Sequence, residues 1–239
     1  MKYLYGPIKS RRLGFSLGIN LTSYKTCSFD CVYCQQGKTI NLTIVRSEYV
    51  KISEILDELR EWFSNHKGNL SSLDYITLSG SGEPTLNMGI SSLIIELKKL
   101  SPVKIALITN SSLLTDASLR QEILGVDLIV PSLDAVTQEL FVQVDRPYQD
   151  IKIEDIINGL ISLRKEFKGK IWVEVMLIKG LNDDIRHIRK LKEVIDRINP
   201  DKIQINSPVR TTSDKGAFSV DKSKLKKIKD ILGDKAETI

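Results

Sequence analysis

Short apolar runs rich in β-branched residues alternate along the chain with longer stretches in which apolar residues recur every three or four positions. That is the pattern of repeated βα units whose strands lie parallel in one sheet. Six strands are predicted: Ser16 to Leu21, Tyr75 to Leu78, Lys104 to Ile108, Leu128 to Pro131, Ile171 to Leu177 and Lys202 to Ile205. Helices are predicted over Ile52 to Asn65, Ser91 to Leu100, Ala117 to Leu124, Asp155 to Phe167, Asp184 to Ile198 and Lys222 to Leu232. In the first helix Ile52, Ile55, Leu56, Leu59 and Phe63 form one face, with Lys51 or Ser53 near its start and Gly68 beyond its end. Thr115, Asp116 and Ser118 mark another start, and Asn199-Pro200 marks a stop, because proline pushes the preceding residue out of helical geometry. The order of elements predicts an α/β barrel-like fold in a single domain, 1–239, with an N-terminal extension (1–15), a barrel core (16–210) and a C-terminal helical segment (211–239).

In such a fold the loops that leave the carboxyl ends of the strands collect at one rim, where active sites are usual. A loop with all the cysteines follows the first predicted strand, and Ser79 to Pro84 follows the second. Thr109 to Ser111, Ser132 to Asp134 and Asn206 to Pro208 follow the third, fourth and sixth. The polar and glycine-rich segments therefore converge on one place.

Composition narrows the class only a little. Hydrophobic residues make up 41% and charged residues 27% of the 239, and no apolar run is long enough to span a membrane. The basic stretch Met1 to Arg12 lacks the apolar segment of a secretion signal, so a cytoplasmic protein with no membrane partner is expected. A net charge of +5 and an isoelectric point near 9.0 permit an anionic partner such as RNA, whereas 6% aromatic residues limit the platforms for stacking unpaired bases. Lys222 to Lys229 has leucine and isoleucine at helical spacing and reads as the solvated face of a helix.

The three cysteines lie within eight residues, Cys27-Ser-Phe-Asp-Cys31-Val-Tyr-Cys34. A disulfide framework would leave one thiol over and staple almost nothing, whereas three soft thiolates in one loop suit an iron–sulfur or zinc centre. Zinc would want a fourth ligand, and with no second cysteine pair it would have to come from His66 or His187, neither of which falls in a rim loop. Three unrelated core cysteines are the remaining alternative. A cubane cluster held by three cysteines leaves one iron without a protein thiolate, and an open position on a metal is where substrate chemistry occurs.

With this loop after its first strand, the chain resembles the radical S-adenosylmethionine (SAM) superfamily, whose signature is Cys-x3-Cys-x-aromatic-Cys in a partial (β/α)6 barrel. The resemblance implies a 4Fe-4S cluster on Cys27, Cys31 and Cys34, chelation of SAM by the open iron, and reductive cleavage of SAM to a 5′-deoxyadenosyl radical. Gly80-Ser81-Gly82-Glu83, followed by Pro84 and Thr85, is similar to the family's glycine-rich turn, with one residue inserted. That turn's backbone receives the amino group of SAM, which places Glu83 near it or makes Glu83 the residue that holds the turn. Tyr33 is expected against adenine or in the core. Asn110, Ser132 and Asp134 fall where the family has polar groups near the SAM carboxylate or ribose; a turn for Asn110 and a helix cap before Thr137 to Val144 for Asp134 are the structural alternatives. Val175 to Lys179 and Ile205 to Val209 are similar to the segments that flank adenine.

Within the superfamily the chain resembles the wyosine-synthase-related group. The likeness runs through Gly6-Pro7, Ser10 to Gly14, Leu78 to Leu86, Ser132 to Ala135, Arg146-Pro147, Met176 to Gly180, Asn182-Asp183 and Asn206 to Arg210. The second cysteine set of the wyosine synthase is missing. The resemblance implies an electron donor of flavodoxin or ferredoxin type and a nucleic acid substrate, tRNA foremost. A radical enzyme acting on a protein or small metabolite, and a non-catalytic metal-binding module, are the alternatives. Ser10-Arg11-Arg12 is expected either to hold an anionic substrate or to be a solvated basic terminus.

Overall fold

A computed structural model of the chain describes residues 1–66 and 72–239, and Gly68 lies outside them. The first part holds β1 (Leu4–Ser10), β2 (Gly14–Asn20), β3 (Thr26–Cys27), β4 (Asn41–Leu42) and α1 (Ile52–Asn65). Then come β5 (Tyr75–Ser79), α2 (Ile90–Leu100), β6 (Lys104–Thr109), α3 (Ala117–Ile123), β7 (Leu128–Pro131), α4 (Gln138–Asp145) and α5 (Ile153–Glu166). The chain continues with β8 (Lys170–Met176), α6 (Ile185–Ile198), β9 (Lys202–Asn206), α7 (Lys222–Leu232) and β10 (Ala236–Thr238). All six predicted strands and six predicted helices form, within three residues at each boundary. The first strand starts two residues earlier than expected and stops one earlier.

The main sheet has the order β1-β2-β5-β6-β7-β8-β9-β10. From β2 to β9 every neighbouring pair is parallel, with Asn20 opposite Ser79, Thr109 opposite Pro131 and Met176 opposite Asn206, so the carboxyl ends share one edge. Two flanking strands correct the sequence reading. The stretch 1–15 is no extension: β1 runs antiparallel to β2, with an irregularity between Tyr5 and Ile8 at Gly6-Pro7. Proline has no N–H for a ladder and is tolerated at an edge. The segment 211–239 is not purely helical either, because β10 pairs parallel with β9.

Alternation along the strands separates the two faces. Leu17, Ile19, Ile76, Leu78, Ile105, Leu107, Val173, Val175, Ile203 and Ile205 are buried in one continuous core with the helices, including Leu59, Leu93, Leu160 and Leu191. On the opposite face Leu13, Ala106, Leu128 and Val130 make a small separate cluster with Tyr75, Ile108 and Trp172 against it, and polar Ser16, Thr77, Glu174, Gln204 and Asn206 are buried too. The Ser16 and Thr77 hydroxyls satisfy each other at 2.7 Å.

The sheet is curled. In its order β5, β6, β7 and β8 separate β2 from β9, yet residues of the β1–β2 turn touch side chains of β8 and β9. Arg12 pairs with Glu174 on β8, and the Gln204 side chain on β9 donates to the Arg12 carbonyl at 3.3 Å. Arg11 reaches the Asn206 side chain and the Ile239 carbonyl. For Arg12 both expectations are thereby corrected, because it ties the hairpin to the far wall of a partial barrel, whereas the side chain of Arg11 stays exposed to solvent. A buried carboxylate such as Glu174 needs a cation, and Arg12 supplies it.

Candidate functional site at the cysteine loop

Three segments hold the cysteine loop: the stretch 39–43 just after it, the end of α4, and Ser213. The Cys27 carbonyl accepts from Thr43 N–H at 2.9 Å, and Asp30 Oδ1 accepts from Thr39 N–H at 2.7 Å. Val32 N–H donates to the Val144 carbonyl at the end of α4. The Cys31 carbonyl accepts from Ser213 Oγ at 2.7 Å and the Cys34 carbonyl from Ser213 N–H at 2.9 Å. The loop's backbone polar groups are thus satisfied by the protein, and the three side chains are left to sulfur chemistry.

Each sulfur has a different neighbour. Asn110 Nδ2 lies 3.5 Å from Cys27 Sγ, Asp145 Oδ1 lies 3.5 Å from Cys31 Sγ, and Lys25 Nζ donates to Cys34 Sγ at 3.1 Å. Burial pushes the Cys27 thiol up to about 12, and Glu83 adds to the effect. Burial and then Asp145 hold the Cys31 thiol well above its ordinary range. Deprotonating such thiols takes a strong local cation, and a coordinating metal is one. Among the described residues no group of three or more His, Cys, Asp and Glu is close enough to enclose a single metal ion. His66 stacks on Trp62 with its Nδ1 2.8 Å from the Trp62 carbonyl, and His187 is buried on α6. The donor set therefore does not fit a closed zinc site, which needs four ligands around one ion. Three soft thiolates in one short loop are the donor set that iron–sulfur centres use.

The glycine turn follows β5 and packs on the segment leading into the cysteines. Gly80 has φ +130, and a Cβ there would run into the Asn20 side chain; at Gly82 it would run into the Thr26 carbonyl. Ser81 N–H donates to Asn20 Oδ1 at 3.2 Å, and Glu83 N–H donates to the Thr26 carbonyl at 3.1 Å. Glu83 itself is 2% exposed. Its Oε1 accepts from Thr85 N–H at 3.1 Å, Thr85 Oγ1 at 2.6 Å and Thr109 Oγ1 at 2.7 Å, and its Oε2 accepts from Asn110 N–H at 2.7 Å. Of the two roles expected for it, the geometry has it holding the turn and joining it to the end of β6. Burial raises its pKa while these donors oppose the rise. Glu83→Gln turns one acceptor oxygen into an NH2 that faces donors. The expected result is a loss of about 1–3 kcal/mol in urea unfolding. Unchanged stability with weakened SAM binding would instead give Glu83 a ligand contact.

Asn110, Ser132 and Asp134 line one narrow crevice with Phe29 and Asp145. Asn110 Nδ2 donates to Ser28 Oγ at 2.9 Å, and its Oδ1 accepts from Ser112 N–H at 3.0 Å, an Asx turn. Ser132 N–H donates to the Thr109 carbonyl and the Ser132 carbonyl accepts from Ser111 Oγ, both at 2.9 Å. Asp134 is not the cap of α4. Thr137 is, its side chain accepting from Leu140 N–H, while Asp134 accepts from Met176 N–H at 2.6 Å and from the Tyr33 hydroxyl. Tyr33 also has its hydroxyl 3.3 Å from Asp145 Oδ1, and its half-buried ring packs against the cluster of Val32, Val144, Ile178 and Ala217.

Asp145, Lys25 and Ser28 were missed in the sequence. Asp145 is buried at the carboxyl end of α4, where the helix dipole disfavours a negative charge. Burial lifts its carboxyl to about 7, and burial together with Asp145 raises that of Asp134. The only hint in the sequence is an acid directly before Arg146-Pro147. A wider cleft of about 550 Å³ opens beside Val32, lined by Val142, Arg146, Lys179, Gly180 and Asp214. Arg146 and Lys179 are answered by Asp214 and Asp221. Another cleft, of about 440 Å³ between Pro7, Glu58, Trp62 and His66, holds none of the expected site residues.

The chain matches the Radical SAM superfamily over residues 21–191. It is 39% identical over 228 residues to a Brachyspira hyodysenteriae protein named GTPase Obg, covering 95% of this chain and 33% of that one. It is 34% identical over 208 residues to a UPF0026 protein of Synechocystis sp., covering 87% and 76%. A probable dual-specificity RNA methyltransferase RlmN of Thermotoga sp. is 27% identical over 197 residues, covering 79% and 53%. The chain thus spans a third of the Brachyspira relative and about half of the Thermotoga one. Among solved structures, a radical SAM methyltransferase from Sphaerobacter thermophilus superposes with TM-score 0.69 at 18% identity, covering 94% and 65%. TYW1 with a lysine-pyruvate adduct bound gives 0.67 at 19%, covering 91% and 72%. The chain belongs to the radical SAM superfamily, a family of enzymes that bind a 4Fe-4S cluster and SAM, and its partial barrel is the fold of that family. Within it the likeness at 34% identity is to the UPF0026 proteins.

Proposed function

We propose that this chain is a radical SAM enzyme in which Cys27, Cys31 and Cys34 ligate three irons of one 4Fe-4S cluster. The observation that carries the reading is the set of three half-buried thiols in one clamped loop with, among the described residues, no group of ligands that closes around a single ion. Bound there, the cluster would supply the electron that cleaves the sulfonium bond of SAM at the open iron. The chain's residues do the positioning. Gly80 to Gly82 bring backbone up to the cysteine segment, and Glu83 locks that turn to β6. Asn110 joins the turn to Ser28 in the cysteine loop, and Asp134 with Tyr33 and Asp145 makes the polar wall opposite. Asn110, Ser132 and Asp134 are the side chains we assign to the SAM carboxylate and ribose.

The substrate we assign is RNA, with tRNA first, acted on in the cytoplasm with electrons from a flavodoxin- or ferredoxin-type donor. Its support is the net charge of +5 and the likeness to a probable RNA methyltransferase. The likeness to TYW1 is one of fold. No described helix is long and apolar enough to cross a membrane. Two measurements test the reading. Anaerobically reconstituted protein given SAM and a reductant should release 5′-deoxyadenosine; zinc alone and no SAM cleavage would end the enzyme reading. Bulk tRNA from cells with and without the gene, compared by nucleoside mass spectrometry, should differ in one modified nucleoside that the wild type restores and Cys34→Ala does not. An unchanged profile would move the assignment to a protein or metabolite substrate.

A further inference from the structure

Lys25 precedes the cysteine loop by two residues and is 2% exposed. A lysine keeps its ammonium group in water unless something holds it inside. Its backbone takes the left-handed conformation, φ +55, and its carbonyl accepts from the N–H groups of Ile40 and Asn41 at 3.1 Å each. The backbone around β3 and β4 therefore fixes the direction of the side chain. Its Nζ lies 3.1 Å from Cys34 Sγ, and among the described residues no carboxylate oxygen comes within 4.0 Å of it. A buried ammonium without a carboxylate requires another anion, and the sulfur is the acceptor it has.

The three sulfurs are thus electrostatically unequal. Cys34 faces a cation, Cys27 the neutral amide of Asn110, and Cys31 the acid Asp145. Reducing a cluster adds a negative charge, and hydrogen bonds and positive charge at a ligand sulfur favour the reduced state.

We infer that Lys25 is a positioning residue that raises the reduction potential of the cluster through Cys34, its ammonium acting as the fixed counter-charge of that thiolate. The inference rests on the cluster-ligand assignment proposed above. It adds a role that the cysteine spacing does not contain, because no thiolate ligand count depends on a lysine.

The test uses wild type, Lys25→Met, Lys25→Arg and Cys34→Ala, each reconstituted anaerobically. Iron per chain, an EPR-monitored redox titration and urea unfolding of the metal-free chain are measured. With full iron in place, reduction of Lys25→Met should be at least tenfold less favourable, a potential lower by about 59 mV for one electron, and Lys25→Arg should stay within a few-fold of wild type. Metal-free Lys25→Met should be at least as stable as wild type, since a buried charge has been removed. Should Lys25→Met remain folded but take up no iron while Lys25→Arg does, the positive charge serves assembly, and the inference that it sets the potential is overturned. An unchanged potential at full iron would overturn it, as would a metal-free Lys25→Met that is less stable than wild type, the mark of a merely structural tie. Either of those results leaves the cysteine assignment intact, whereas a Cys34→Ala protein with a full cluster and SAM cleavage removes that assignment as well.

Discussion

Cys31→Ala will lower the iron content of reconstituted protein from about four per chain to background and abolish 5′-deoxyadenosine formation with it. A thiolate ligand cannot be replaced by a methyl group, and the neighbours of Cys31 Sγ offer no substitute. Asp145 stands 3.5 Å away, but burial lifts its carboxyl to about 7 and the Tyr33 hydroxyl occupies the same oxygen at 3.3 Å. The fold should survive the change. The backbone of the loop is held by Ser213 and Val144 through main-chain groups that alanine retains. Iron analysis, the visible absorption of the cluster and circular dichroism of the same sample check this outcome. Full iron and SAM cleavage in a folded Cys31→Ala protein would contradict the ligand assignment.

A second large effect is expected at the hairpin that closes the barrel. Arg12→Met strips the cation from Glu174, whose side chain is 6% exposed and whose other oxygen accepts from Asn206 Nδ2 at 2.9 Å. Removing one partner of a buried pair leaves a charge uncompensated. Because the Arg12 side chain is itself 31% exposed, solvent screens part of the loss. The decrease in unfolding free energy should therefore be about 3 kcal/mol, at the low end for buried pairs. Pairing Arg12→Met with Glu174→Leu should recover much of it, since two apolar side chains can replace a buried ion pair at little cost. Urea unfolding of the two single variants and the double variant measures the coupling. A single variant within about 0.5 kcal/mol of wild type would mean that the hairpin does not depend on this pair.

The parallel core was legible because its strands are buried on the helix side by residues at strict alternation, and its helices carry one apolar face each. Ile52, Ile55, Leu56 and Leu59 on α1 are typical of the signal, and that helix has the expected ends. The flanking strands lacked it. In β1 only Leu4 is buried, and Gly6-Pro7 interrupts the alternation; β10 is three residues long, with Ala236 its one buried side chain. Arg11 and Arg12 could not be assigned from pattern, because which wall of a curled sheet they meet depends on closure and not on neighbours in sequence. The cysteine loop and the glycine turn were readable as local motifs. The polar residues that link them were only partly so. Asp134 and Thr137 are both good cap residues, and the phase of α4 selects Thr137. Asp145 and Lys25 resemble any surface acid or base until burial is known.

The clamp on the cysteine loop also dictates when the site can exist during synthesis. Ser213, which secures the carbonyls of Cys31 and Cys34, lies 182 residues beyond Cys31, and Asp145 lies 114 beyond it. Contacts of that span close late, after the intervening strands have found their order. The thiols leave the ribosome before Ser213 does, so the clamp on their carbonyls has to wait for the segment after β9. A full clamp on the cysteine loop thus requires the segment after β9, and a nascent chain ending before Ser213 would present cysteines without it to the cell's iron, zinc and oxidants.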